Sequence, residues 1–379
     1  MGTALFSVGF RPFFLGAAWL SVAWMGVWVA LILRGTATTD PVPPILWHGH
    51  EMLFGFALAV IAGFVLTAVQ NWTQRQSVNQ RELVALVMLW LAARLGFLFP
   101  AIIPFWFTSM VDVAFIPLLG WFIARTLLAA ENHRNYAFIP LMAAFAVLNL
   151  VIHLEIHGLV SGMAMPALDL SILLVTVLLV FMGGRVIPFF TDRWLTGPSP
   201  RQWPVLNWCS TLATVLVLPL YLIAGRHPML IPLLFAASLF TLARWLAWRP
   251  WRTWRTPLLW ILHLGYLWIP VGLALLALHL MGAGVSWSAG IHALMVGGMG
   301  SLCLGMMARV ALGHTGRPLV APTLVTAGFV LITLAAAARL GMAFTETMPW
   351  LLAASAVGWA MAYLCYAVHY TPILLRQRA

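Results

Sequence analysis

The chain has 379 residues, 63% of them hydrophobic and only 8% charged. A soluble domain carries about 25% charged residues, so this composition cannot cover a water-facing surface and lipid must be its solvent. The net charge of +11 does not indicate nucleic acid, because the basic residues, all of them arginine, sit singly between apolar runs and form no basic stripe.

A membrane span needs about 20 mostly apolar residues. Breaks at Arg, Pro and Gly clusters predict twelve, near 14–33, 50–70, 83–99, 105–128, 136–156, 168–188, 205–224, 229–248, 257–281, 287–312, 319–340 and 350–374. The run after Arg11 is long for a signal-peptide core and lacks a small-residue cleavage site, so it reads as the first span. Pro100 and Pro104 alone separate the third from the fourth. The expected architecture is a single all-α membrane domain over residues 1–379. Cys209, Cys303 and Cys365 fall in apolar segments without CxxC or CxxCH spacing, which argues against a disulfide framework or covalent haem.

Positive charge collects in cytoplasmic loops. Sixteen arginines fall on one side of the predicted topology: Arg11, Arg75, Arg81, Arg125, Arg134, Arg185, Arg193, Arg201, Arg244, Arg249, Arg252, Arg255, Arg309, Arg317, Arg376 and Arg378. Only four, Arg34, Arg94, Arg226 and Arg339, fall on the other. Both termini are therefore expected in the cytoplasm.

The second and tenth spans align without gaps from His50 and His292. Gly55 then meets Gly297, Gly63 meets Gly305, Thr73 meets Thr315 and Arg75 meets Arg317. The end of the sixth span, GGRVIPFFTDR, matches in Arg185, Val186, Thr191 and Arg193. Copies four spans apart imply three arcs of four helices about a pseudo-threefold axis.

Ionisable groups inside a membrane are costly and mark function. On the predicted topology the outer half holds His48, His50, Glu51, Arg94, Asp112, His153, Glu155, His157, Asp169, His279 and His292. The inner half is poorer, with His263 and His369 in spans and Arg185, Asp192, Arg309 and His314 near the surface. An active region near the outer face follows. On a helix, His48 and His50 point about 200° apart, so they do not readily share one ion; Glu51 is placed to orient a ligand histidine. His153 and His157, four apart, share a face at a metal-ligand spacing, and imidazole suits copper. His292 lies deep enough in its span to need a partner. Each histidine also has a structural reading, as an interfacial anchor or a satisfied core residue. Arg185 and Arg309 either snorkel to the interface or pair with an anion such as a haem propionate. Arg94 and Asp112, on adjacent helices, read as a buried ion pair or part of a proton route.

The segments WHGHEMLFGFALAVIAGFVLTAVQNWT (47–73), GGRVIPFFT (183–191) and HALMVGGMGSLCLGMMARVALGHTGRPL (292–319), with FRPFFL (10–15) and LHLGYLWIP (262–270), closely resemble the NnrS family over nearly the whole chain. One departure is Gln70 before Asn71, where the family's residue is expected to be proline. The resemblance implies a bacterial inner-membrane protein that contains haem and copper and is linked to nitric oxide, nitrosative stress and denitrification. The twelve-helix plan also resembles the haem–copper oxidases and nitric oxide reductases, but their adjacent His-His pair and HPEV-type motif are missing, so no ligand is carried over from them.

The expected mechanism has His50 and His292 ligating a non-covalent b-type haem, with His263, Arg185 and Arg309 as further cofactor contacts. His153, His157 and His48 would hold copper or a second haem. Glu51, Glu155, Asp112 and Asp169, with Arg94, would serve proton delivery from outside, without proton pumping. The expected partners are nitric oxide or a nitrosyl species, membrane lipid and a quinol or other electron donor. The rival functions are an exporter of nitrosylated iron or a metal complex, a haem-based sensor, and a quinol-linked haem electron carrier.

Overall fold

Hydrocarbon offers no water to a backbone N–H or C=O, so a spanning segment satisfies both internally as a helix. In the computed structural model, residues 4–34, 42–197, 199–343, 348 and 350–377 are described; Arg378 and the side chain of Arg34, both counted in the charge bias, lie outside them. The long elements among the described residues are all helices. They are α1 (Phe10–Arg34), α2 (Pro44–His50), α3 (Leu58–Thr73), α4 (Gln80–Leu98), α5 (Phe105–Ala129), α6 (Phe138–Ile156), α7 (Ala164–Trp194), α8 (Pro204–Ala224), α9 (Ile231–Ala247), α10 (Pro257–Leu280), α11 (Trp287–His292), α12 (Ser301–His314), α13 (Thr323–Gly341) and α14 (Trp350–Leu375). The protein is a multi-pass membrane protein.

Local chemistry sets the helix ends. Pro44, Pro204 and Pro257 open α2, α8 and α10 at the first helical position, where no N–H is needed. Asn79 and Glu82 form a reciprocal capping box at the start of α4. Helix α6 stops because Gly158 takes φ 71. Leu159 N–H then reaches back to the Leu154 carbonyl at 2.9 Å, closing a Schellman-type turn.

The expected spans correspond closely to these helices. The sixth is longer than predicted, Ala164–Trp194 rather than 168–188, because α7 runs on through Pro188. The eleventh starts later, at Thr323, after Pro318 and Pro322. Eleven helices are long and apolar enough to cross a membrane by composition, and α4 is not among them. Helix α4 nevertheless has 19 residues, about 28 Å of rise. Arg11 supplies the deciding contact. Its Nη1 donates to the carbonyls of Leu374 at 2.9 Å and Arg376 at 2.5 Å, so the beginning of α1 meets the end of α14. Ends that touch on one face of the membrane fit an even number of crossings among the described residues, with α4 as a twelfth beside the eleven.

The described chain forms two compact units. The first is Met1–Ser171 with His314–Arg317 and Ala367–Ala379; the second is Ile172–Gly313 with Pro318–Tyr366. Each contains one copy of an unusual device. In the first, His50 ends α2 and a π-helical segment, Glu51–Ala57, leads into α3. In the second, His292 ends α11 and a π-helical segment, Ala293–Gly300, leads into α12. A π turn inserts a residue and re-aims the side chains beyond it. The aligned glycines let a neighbour lie directly on each π segment: a Cβ on Gly55 would meet Arg94 Nη1 at 2.7 Å, and one on Gly297 would meet the Trp268 ring. The sixth span has Leu173 at the matching position and is α-helical throughout. The repeat is thus expressed in the second and tenth spans.

Single cysteines introduced by Ser7→Cys or Gln377→Cys, with the three native thiols replaced, should react with an impermeant maleimide from the same face of sealed vesicles. Labelling from opposite faces would remove α4 as a crossing.

Candidate metal centre

The first unit buries a polar cluster inside four apolar helices. Glu51 opens the π segment, Arg94 lies on α4, Asp112 and Ser109 on α5, and Asn149 and His153 on α6; His50 ends α2. His50 and Glu51 are fully buried, and Arg94, Asp112, Asn149 and His153 nearly so. Such groups persist in lipid only when their charges and hydrogen bonds are satisfied.

Arg94 provides the first half of that satisfaction. Its Nη1 donates to Glu51 Oε1 at 2.7 Å, and its Nη2 donates to Asp112 Oδ1. The guanidinium carbon also lies 5.3 Å from the Phe97 ring centroid. Trp24 Nε1 donates to the second Glu51 oxygen. Gly55 is required here because any side chain would displace the guanidinium.

The second half converges on one atom. Asp112 Oδ2 accepts from Asn149 Nδ2 at 2.9 Å, and lies 3.0 Å from His153 Nε2 and 3.3 Å from His50 Nε2. His50 Nδ1 is 3.0 Å from Glu51 Oε1, and its Nε2 is also 3.0 Å from Asn149 Oδ1. Both His50 nitrogens therefore face acceptor oxygens. His153 Nδ1 is 3.0 Å from Ser109 Oγ, which is 2.9 Å from His157 Nε2. The rings of Phe54 and Phe97, 5.0 and 4.8 Å from that of His50, exclude water from one side.

His50, Asp112 and His153 each offer a ligand atom, all within 4.8 Å of one another. Two imidazoles and a carboxylate suit a divalent transition metal and leave coordination positions for a small ligand. Glu51 and Ser109 supply the outer contacts that hold the imidazole rings.

Several expected site residues lie elsewhere. His157 is exposed just past α6 and reaches His153 only through Ser109. His48 stacks on Trp28 with centroids 4.3 Å apart, since two residues of helix turn it away from His50. Glu155 accepts from the backbone N–H groups of Met163 and Ala164 and so caps α7. Asp169 is buried on α7. His292 belongs to the second unit, where its Nδ1 donates to the Ser288 carbonyl at 2.8 Å. Also in the second unit, Arg309 lies 3.8 Å over the Phe190 ring, Arg185 lies 4.1 Å over Phe181, and His263 pairs with Thr191. His279 bonds the Val285 carbonyl, His369 lies against Tyr370 and His314 against Phe10.

Sequence reasoning missed Asn149, Trp24 and Ser109. Asn149 carried a usable signal, being a buried amide four residues before His153 on the same helical face. Trp24 carried none, since an indole is ordinary at any membrane depth near an interface.

Fold and site together define a class: a polytopic membrane protein with a buried cluster of two histidines and one aspartate able to hold a metal. A family model, NnrS protein, matches residues 4–378. The chain belongs to the NnrS family. No curated protein matches it.

Arg94→Ala should be the most damaging single truncation in this unit, because it leaves two buried carboxylates unpaired. A loss of about 3–5 kcal/mol, read as a lower unfolding temperature in detergent, is expected. Gly55→Ala should also destabilise, by about 1–3 kcal/mol. A wild-type melting curve for Arg94→Ala would refute the ion-pair account.

Proposed function

We propose that this protein is a nitric-oxide-handling metalloprotein of the bacterial inner membrane, with both termini cytoplasmic, and that it reduces nitric oxide at the His50–Asp112–His153 site. The observation that carries this reading is the convergence of two imidazole nitrogens on Asp112 Oδ2 inside an otherwise apolar helix cluster. Family membership supplies the link to nitric oxide. The arginine bias supports a position of the end of α6, and with it the site, toward the periplasm.

Copper fits this donor set, and iron(II) or zinc suits it too, so metal identity belongs in the test. A bound copper ion would supply a redox-active binding point for a small diatomic ligand. A b-type haem fits His50 less well than a single ion, because the Phe54 and Phe97 rings flank the imidazole at 5.0 and 4.8 Å. The pairing of His50 with His292 as haem ligands is therefore dropped.

Reduction of two nitric oxide molecules to nitrous oxide and water consumes two electrons and two protons. Nitric oxide is small and apolar enough to arrive through lipid. If His153 Nε2 held the metal, Nδ1–H would donate to Ser109 Oγ and Ser109 O–H to His157 Nε2, over 3.0 and 2.9 Å, so that Ser109 would fix the orientation of the ligand ring. Arg94 meanwhile pairs with both Glu51 and Asp112.

The test is metal analysis of the purified protein together with optical spectra before and after anaerobic nitric oxide, followed by assay of nitrous oxide. We expect bound metal, a nitric-oxide-dependent spectral change, and loss of both in His50→Ala and His153→Ala. Ser109→Ala removes the outer contact that orients the His153 ring and should weaken metal binding about 10–100-fold. Undiminished metal in His153→Ala, or a spectrum indifferent to nitric oxide, would sink the proposal.

A further inference from the structure

From Arg193 to Gly313 the second unit carries arginines throughout but not one aspartate or glutamate, so no ion pair can form within that stretch. Two loops gather several of these arginines at one end of the helices. Arg201 N–H donates to the Ala247 carbonyl at 3.1 Å, and Arg252 Nη2 donates to the Thr196 carbonyl at 2.5 Å. The α7–α8 connection is thereby tied to the end of α9 and to the turn that follows it. In that turn Arg249 takes a left-handed φ of 58, and a short 3-10 segment, Pro250–Arg252, comes next. Arg201, Arg249, Arg252 and Arg255 are brought together in this way.

An open groove of about 480 Å³ lies between α9 and α10 beside this turn. Its walls include Trp245 of α9, Trp260, Leu264 and Leu267 of α10, and Trp251 and Trp254 of the connection. Trp251 and Trp254 are 61% and 67% exposed, and tryptophans of this kind sit at the level of lipid headgroups. The arginines flank the mouth of the groove. Arg249, Arg252 and Arg255 alternate along the chain with its wall residues, and the Arg255 guanidinium carbon lies 4.9 Å from the Trp254 ring centroid. The guanidinium groups of Arg249 and Arg255 make no hydrogen bond among the described residues. Charge at the mouth and an apolar floor along the span therefore occur side by side.

We propose that this groove binds one anionic phospholipid, its phosphate against the Arg249 and Arg255 guanidinium groups and one acyl chain laid along Trp260, Leu264 and Leu267. The guanidinium fork matches phosphate oxygens in charge and geometry, and basic pockets between membrane helices suit such headgroups. A zwitterionic lipid brings its own cation to a stretch with no carboxylate to receive it. A soluble anion meets the arginines but leaves the apolar walls uncovered. Only a lipid with net negative charge satisfies both parts of the groove. The inference rests on the membrane class of the fold and needs neither the metal nor nitric oxide.

Native mass spectrometry of the full chain in detergent, titrated with phosphatidylglycerol or with phosphatidylcholine, reads the retained lipid directly. Each guanidinium near a membrane surface favours an anionic lipid by about fivefold, so one phosphatidylglycerol should be held about tenfold or more tightly than phosphatidylcholine. Arg249→Gln combined with Arg255→Gln should remove that preference. Phosphatidylcholine retention should stay at the wild-type level in this variant, which also reports an intact fold. Arg75→Gln combined with Arg81→Gln takes the same charge from the first unit and should leave the preference as it is. Leu264→Trp fills the groove and should weaken phosphatidylglycerol binding with no change of charge. Equal affinity for both lipids in the wild type, an unchanged preference without Arg249 and Arg255, or the same loss without Arg75 and Arg81 would overturn the proposal. So would equal competition by glycerol phosphate, which has no acyl chain.

Discussion

The first unit depends on Arg94. A guanidinium, two carboxylates and two imidazoles cannot be held inside apolar helices unless each charge faces an opposite one, and Arg94 bridges Glu51 on the π segment to Asp112 on α5. That bridge joins three spans at one depth. It also points the free oxygen of Asp112 at His50 and His153. The ion network is therefore weak grounds for expecting exceptional stability, since buried pairs barely recover their desolvation. Its effect is on specificity: this arrangement of the helices pairs all five groups.

The π segments explain how a helix brings such groups together. A regular α-helix would place Glu51 about 100° around the axis from His50. Here the pair straddles the start of the π-helical stretch, so Glu51 bonds the ring of its own neighbour and also Arg94. The same insertion follows His292 in the second unit. Each is accompanied by a glycine at the same aligned position, under a large neighbouring side chain. This shared device is why the sequence repeat between those spans is readable, and why the sixth span, with leucine at that position, matches only at its end.

The two units divide the polar chemistry. The first concentrates paired charges around potential metal ligands. The second holds single histidines: His292 donates Nδ1–H to the Ser288 carbonyl, and His263 Nε2 meets the Thr191 hydroxyl. Arg185 and Arg309 in that unit lie over phenylalanine rings, so cation–π contact accounts for their placement.

The sequence by itself determined the membrane class and nearly all of the spans. Those follow from hydropathy, length and charge, which act along the chain and need no partner. It also marked Arg94 with Asp112, and His50 with Glu51, as groups that must be compensated. Tertiary structure alone decided which of them meet. Helical spacing made His153 and His157 equivalent candidates, yet α6 ends at Ile156 and only His153 faces Asp112. The pairing of His50 with His153 and the amide of Asn149 between them come from contacts between helices. Those contacts depend on how each helix is rotated about its own axis, which a uniformly apolar span, with no polar face to mark its inside, does not record in its sequence.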